Sequence, residues 1–190
     1  MESPVFRRPA PAPHTDPGAA EVRLPLRAGA GALAAQVLDP LGARMAAAGL
    51  GTVTGHEVRR GPKGEPRDVL IRLALARPGR RGLEAVGAIL DDLGAPCGSV
   101  ATIPATGTRH VFGRTEGLGL ALPVARLTED AVAACAEALG SAGRLLAGPT
   151  DGAGPLLCFY GDTYLAMETR LLRLLARDAR LAPATLHRLT

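Results

Sequence analysis

The sequence predicts an α+β chain made of two β-α-β-β-α-β units in tandem, each closing an antiparallel sheet. Three observations predict it. Apolar strings alternate and helical stripes follow them in that order, first over 21–103 and again over 118–190. Corresponding positions recur at a spacing of roughly 85 residues: Val69 and Leu156, Leu83 and Ala166, Val100 and Thr185. Hydrophobic residues make up 47% of the 190, enough for a core, while aromatics are only 3%, so Leu, Val, Ala and Ile must build it.

Residues 1–20 carry Pro4, Pro9, Pro11, Pro13 and Pro17, which predicts a disordered tail before the first unit. In "EVRLPLR" (21–27) Val22, Leu24 and Leu26 face one side and Arg23 and Arg27 the other, a half-buried strand. Pro25 has no amide hydrogen, which places this strand at an edge or turns the proline outward. Over 31–50 the stripe Leu33, Val37, Leu41, Met45 marks a helix, with Pro40 as a source of a kink and Gly49 as its C-terminal cap. Strands at 51–60 and 67–75 flank "GPKGEP" in a hairpin. A helix at 80–94 and a strand at 98–103 complete the unit. The segment 104–117 is expected to link the units.

In the second half "GLGLALPV" (117–124) alternates as a strand, and 129–143 is helical with Thr128 as N-cap. Strands at 143–148 and 155–161 surround the turn "PTDGAG". A helix over 164–178 and a strand over 184–189 follow. Strand alternation sends Leu157 and Phe159 to one face and Leu156, Cys158 and Tyr160 to the other; both sets are apolar, so both faces should be covered. The order in each half is that of the ferredoxin-like fold.

The net charge is +4, and Lys63 is the only lysine among 22 basic residues. Arginine, with abundant Ala, Gly and Pro, fits the composition of a GC-rich bacterial coding sequence. The basic residues are scattered among 18 acids rather than gathered on one element, which argues against nucleic acid as a partner. No apolar run reaches the ~18 residues that cross a bilayer. The three cysteines have no metal-ligand spacing, and an odd count leaves a free thiol, so the expectation is a cytoplasmic protein without metal or cofactor.

Catalytic motifs are absent, and no catalytic residue is assigned. The glycines of "RAGAGAL" (27–33) lie between a strand and a helix, where free amides can hold an anion, but a Gly-rich connection explains them as well. Arg109, His110 and Arg114 form a cationic set in the linker, where a cleft between units favours ligands. Tyr160 ends a strand. Asp162 stands where an N-cap of the last helix is expected. Asp91 and Asp92 sit at a helix C-terminus against the dipole. The open face of the first sheet should show Arg23, Arg27, Asp68 and Arg72, a charged surface. That of the second should show Gly119, Ala121 and Pro123, a small uncharged surface that calls for a cover. Arg72, Arg109, His110, Arg114, Tyr160 and Asp162 are therefore the candidate ligand or partner residues.

Two resemblances accompany these residues. "RAGAGALAAQVLDPLGARMAAAGLGTV" resembles the start of an ACT domain, which implies a small-ligand sensor with ligand between the units. "LDDLGAPCGSV" and "GPLLCFYGDTYLAMETRLLRLLA" are similar to small bacterial proteins of tandem α+β pattern, which implies an interaction or immunity-type module. The leading expectation is a non-catalytic module that binds a protein, either another chain or a toxin. A small-molecule sensor and a small enzyme using Tyr160, Asp162, His110 or Arg109 are the alternatives.

Overall fold

A computed structural model describes residues 18–62, 64–148 and 156–189. The expected tail lies outside them up to residue 17, as do Lys63 and the whole of the "PTDGAG" turn. The chain forms two antiparallel sheets with helices, the tandem ferredoxin-like architecture.

The first sheet has the order β2-β3-β1-β4-β5. β1 (Ala19–Leu24) begins inside the expected tail, because Ala20, Val22 and Leu24 already alternate into the core. It is a central strand and stops before Pro25, which escapes the ladder by lying beyond it. The following helix comes in three pieces: α1 (Ala30–Leu33), one turn of π-helix (Ala34–Leu38) and α2 (Asp39–Ala47). Pro40 enters α2 in its first turn, so the widened turn precedes the residue that cannot donate an amide hydrogen. Gly49 takes φ +61 and ends the helix as expected.

β2 (Gly51–Arg60) and β3 (Pro66–Leu75) form the hairpin. α3 (Arg80–Asp92) buries Leu83, Val86 and Leu90 in the same core cluster as Val69, Ile71 and Leu73 of β3. β4 (Ser99–Ile103) then pairs with β1. The predicted linker is corrected here: Thr108–Phe112 is a fifth strand, β5, hydrogen-bonded along β4. Its charged residues hid a period-two pattern in which His110 and Phe112 turn to α3 and Arg109 and Val111 turn away.

The second sheet has the order β7-β8-β6-β9. It consists of β6 (Glu116–Ala121), β7 (Arg144–Ala147), β8 (Leu156–Gly161) and β9 (Thr185–Leu189). Between them stand α4 (Glu129–Leu139), capped by the Thr128 hydroxyl, and α5 (Tyr164–Arg177). Leu118, Leu120, Leu157 and Phe159 meet Cys135, Leu139, Met167 and Leu171 in one core.

The other side of this sheet joins the first unit. Leu146, Ala147, Cys158 and Tyr160 belong to the same buried cluster as Leu26, Leu33 and Val37. Backbone contacts lock the joint: Gly29 N–H donates to Leu146 O at 2.7 Å, and Arg27 N–H donates to the Tyr160 hydroxyl at 2.8 Å. A Cβ at Gly117 would come within 3.0 Å of the Tyr160 ring, so the glycine is what lets this layer pack. Thr185 and His187 of β9 stay exposed at the rim. The small, uncharged face therefore has its cover around Gly117, Cys158 and Tyr160, supplied by the other half of the same chain, while Pro123, expected on that face, lies beyond β6 and is exposed.

Candidate binding face

The first sheet's outer face is not covered by any described element. Register places Glu57, Leu70, Arg23, Val100 and Val111 in one row across the five strands. The next row holds Gly55, Arg72, Glu21, Thr102 and Arg109. Val111 is 65% exposed, and Leu70 and Val100 are half-buried. Arg23, Arg59, Arg109, Glu21 and Glu57 line a hollow of about 660 Å³ together with Leu70 and Val100, and Arg23 stands between those two apolar residues.

Charge on the face is partly internally matched. Arg72 meets Glu57 at 3.0 Å. Asp68, whose side chain is only 6% exposed, lies between Arg23 at 3.5 Å and Arg59 at 3.6 Å. Its Oδ1 has no hydrogen-bond partner. Arg109 and Glu21 stand without an ion-pair partner among the described residues.

Of the six residues singled out in the sequence, the structure brings Arg72 and Arg109 onto this face. His110 points to the opposite side of β5, where it stacks with Phe112 at 5.9 Å and 11°. Its ring lies against Gly87, where a Cβ would come within 2.7 Å; this explains a glycine inside α3. Arg114 pairs with Asp91 at 3.4 Å, and Asp91 also accepts from Gly113 N–H at 2.8 Å. Asp91 thus anchors the chain leaving β5, which accounts for a carboxylate at an unfavourable helix end. Tyr160 is buried in the joint, where desolvation pushes its hydroxyl pKa upward. Asp162 is exposed and does not cap α5; that bond is made by the Thr163 hydroxyl, which accepts from Ala166 N–H at 3.2 Å. Arg27 is likewise corrected: it lies in the joint, away from the open face.

Sequence reasoning did not single out Arg23 and Arg59 as site residues. Arg23 could have been found from the alternation of β1 alone. Arg59 could not, because an irregularity between Val53 and Gly55 resets which side chains of β2 face outward.

Elsewhere the chemistry is structural. Arg144 reaches from β7 to the carbonyls of Leu93 and Gly94 and so caps α3 from the other unit; burial lowers its pKa. Glu116 accepts from Tyr164 N–H at 2.5 Å and pairs with Arg188, and both contacts hold its carboxyl below the usual range. Burial pushes the Cys135 thiol up to about 11. A hollow of about 700 Å³ at the start of α3 is lined by Arg77, Arg80 and Arg81, with Arg80 held by Glu84. A crevice of about 250 Å³ runs between the units beside Cys97 and Glu116. Among the described residues no three His, Cys, Asp or Glu side chains converge as a metal site. No described helix is long and apolar enough to cross a membrane.

No protein-family model matches the chain, and no curated protein does. Among solved structures it is similar to the first two RRM domains of yeast poly(U) binding protein. The identity is 7% and the TM-score 0.30, over 90% of this chain and 99% of that one. The expectation against nucleic acid does not stand beside a likeness to a poly(U) binding protein. At that TM-score the likeness assigns no ligand to this chain, and nucleic acid returns to the partners to be tested.

Proposed function

We propose that the chain is a binding module that takes a protein partner on the open face of its first sheet, with toxin neutralisation as the specific form. One observation carries this reading: of two sheets with a common four-strand order, one has its outer face built into the joint while the other leaves Leu70, Val100 and Val111 among charged side chains in solvent. Exposed apolar side chains in a charged frame are the anatomy of a protein interface, with an apolar centre and a polar rim. The candidate enzyme residues do not meet: Tyr160 is in the joint, His110 is under the sheet, and Asp162 is at the far end of β8. The joint is filled by Leu146, Cys158 and Tyr160, so the inter-unit sensor reading gains no support from it.

Affinity capture from the native host with the wild-type chain and Val111→Asp tests the reading. A partner protein retained by the first and lost with the second is expected. A mixed-sequence single-stranded RNA is titrated in parallel. Tight binding that weakens steeply with salt and is lost on Arg109→Gln would move the site to nucleic acid.

A further inference from the structure

Burying a carboxylate costs free energy unless it is paired and fully hydrogen-bonded. Asp68 meets neither condition well: its two arginines stand at 3.5 and 3.6 Å and Oδ1 lacks a hydrogen bond. An apolar side chain, like its neighbour Leu70 on the same face, would serve the sheet at least as well. Both arginines also line the hollow, and the third arginine there, Arg109, has no acid of its own among the described residues. Glu57, on the same wall, is already taken by Arg72.

We infer that Arg23, Arg59 and Arg109 form an acid-accepting site for an Asp- or Glu-rich segment of the partner protein, with Asp68 as the resident counter-ion that shares Arg23 and Arg59 with the incoming carboxylate. The inference rests on the reading of this face as a protein-binding surface and names the chemistry of what docks there. Charge complementarity selects the occupant: planar guanidinium forks receive carboxylates in two-point contacts, and Arg23 and Arg59, with side chains 58% and 54% exposed, hold donors beyond the single nitrogen each turns to Asp68. Asp68 then sets the affinity, because it competes with the ligand for Arg23 and Arg59.

The probe is a fluorescent peptide of alternating Glu and Val, compared with the same peptide carrying Lys for Glu. The full chain should bind the Glu peptide and not the Lys peptide. Arg109→Gln should weaken binding about threefold or more, and Asp68→Asn should tighten it by a similar factor, in the range of single partly exposed charge pairs. A merely structural Asp68 predicts no tightening. Equal binding of the two peptides, or Asp68→Asn weakening or leaving unchanged the affinity for the Glu peptide, overturns the inference. Should Asp68→Asn fail to fold, the exposed Arg109→Gln still decides: unchanged Glu-peptide binding overturns it. A captured partner that depends on Val111 but not on Arg109 removes the acid-accepting site and leaves the protein-binding reading intact. A captured set indifferent to Val111 removes the reading itself.

Discussion

The two sheets share a four-strand order, to which the first adds β5 at its edge, and they have contrasting outer faces. On the second, Gly117 and Gly119 of β6 and Cys158 and Tyr160 of β8 leave room for another layer, and the connection after β1 fills it. On the first, the equivalent central strands carry Arg23, Glu21, Asp68 and Arg72. Desolvating Arg23, Glu21 and Arg72 under a second layer, with Asp68 already buried, would cost far more free energy than burial of Leu70, Val100 and Val111 releases. The difference teaches that strand order fixes where a face lies, while side-chain size and charge decide whether it becomes core or surface.

The sharpest way to break the comparison is to place the same charge on both faces. Leu146→Asp buries an unpaired carboxylate in the joint and should lose more than about 3 kcal/mol in urea unfolding. Val111→Asp, on the open face, should stay within about 0.5 kcal/mol of wild type. Equal losses would mean that both faces are covered in solution. Tyr160→Phe removes the acceptor of Arg27 N–H and should cost about 1–2 kcal/mol, read as a shift of the urea midpoint with unchanged slope. A smaller effect comes from the start of α5: Thr163→Ala should cost about 1 kcal/mol, while Asp162→Ala should leave the melting temperature where it is. The reverse order would restore Asp162 as the cap.

The last prediction concerns pH and serves as a control away from both faces. Glu116 is held ionised by Tyr164 N–H and Arg188, so its folded pKa is depressed. Its contribution is therefore fully present above its unfolded value, near about 4.3, and is lost as pH falls through the folded value. Glu116→Gln should flatten the acid limb of the melting-temperature profile below pH about 4.3 and change little of its slope at neutral pH. A variant whose acid limb matches wild type would show that Glu116 does not contribute.

Much of the fold is legible because alternation and helical stripes depend on which side of an element is buried, and most of these elements have one clear dry side. Val69, Ile71 and Leu73 announce β3, and Leu83, Val86 and Leu90 announce α3. Where both sides carry signal the reading fails: β5 is hidden by Arg109 and His110, because a histidine stacked on Phe112 over Gly87 looks like a solvated residue in a string of letters. The site is less legible than the fold. Arg72 and Arg109 stand out for their charge, but Tyr160 is buried by a layer that comes from 133 positions away in the chain, through Arg27. No local pattern contains that contact. In the sequence Asp68 is one charged residue among others, since only the ladder reveals that Arg23 and Arg59 close over it.

The joint also bears on the valency of the proposed binding module. Tandem modules gain avidity when each copy presents its own site, since the second contact is then intramolecular. Here Tyr160 and Leu146 commit the second sheet to holding the first, so duplication of the unit has not duplicated the open face on which the proposed docking rests. Under the proposed function a partner on the first sheet would meet this chain once, and the strength of the complex would come from that single encounter or from bringing several chains together.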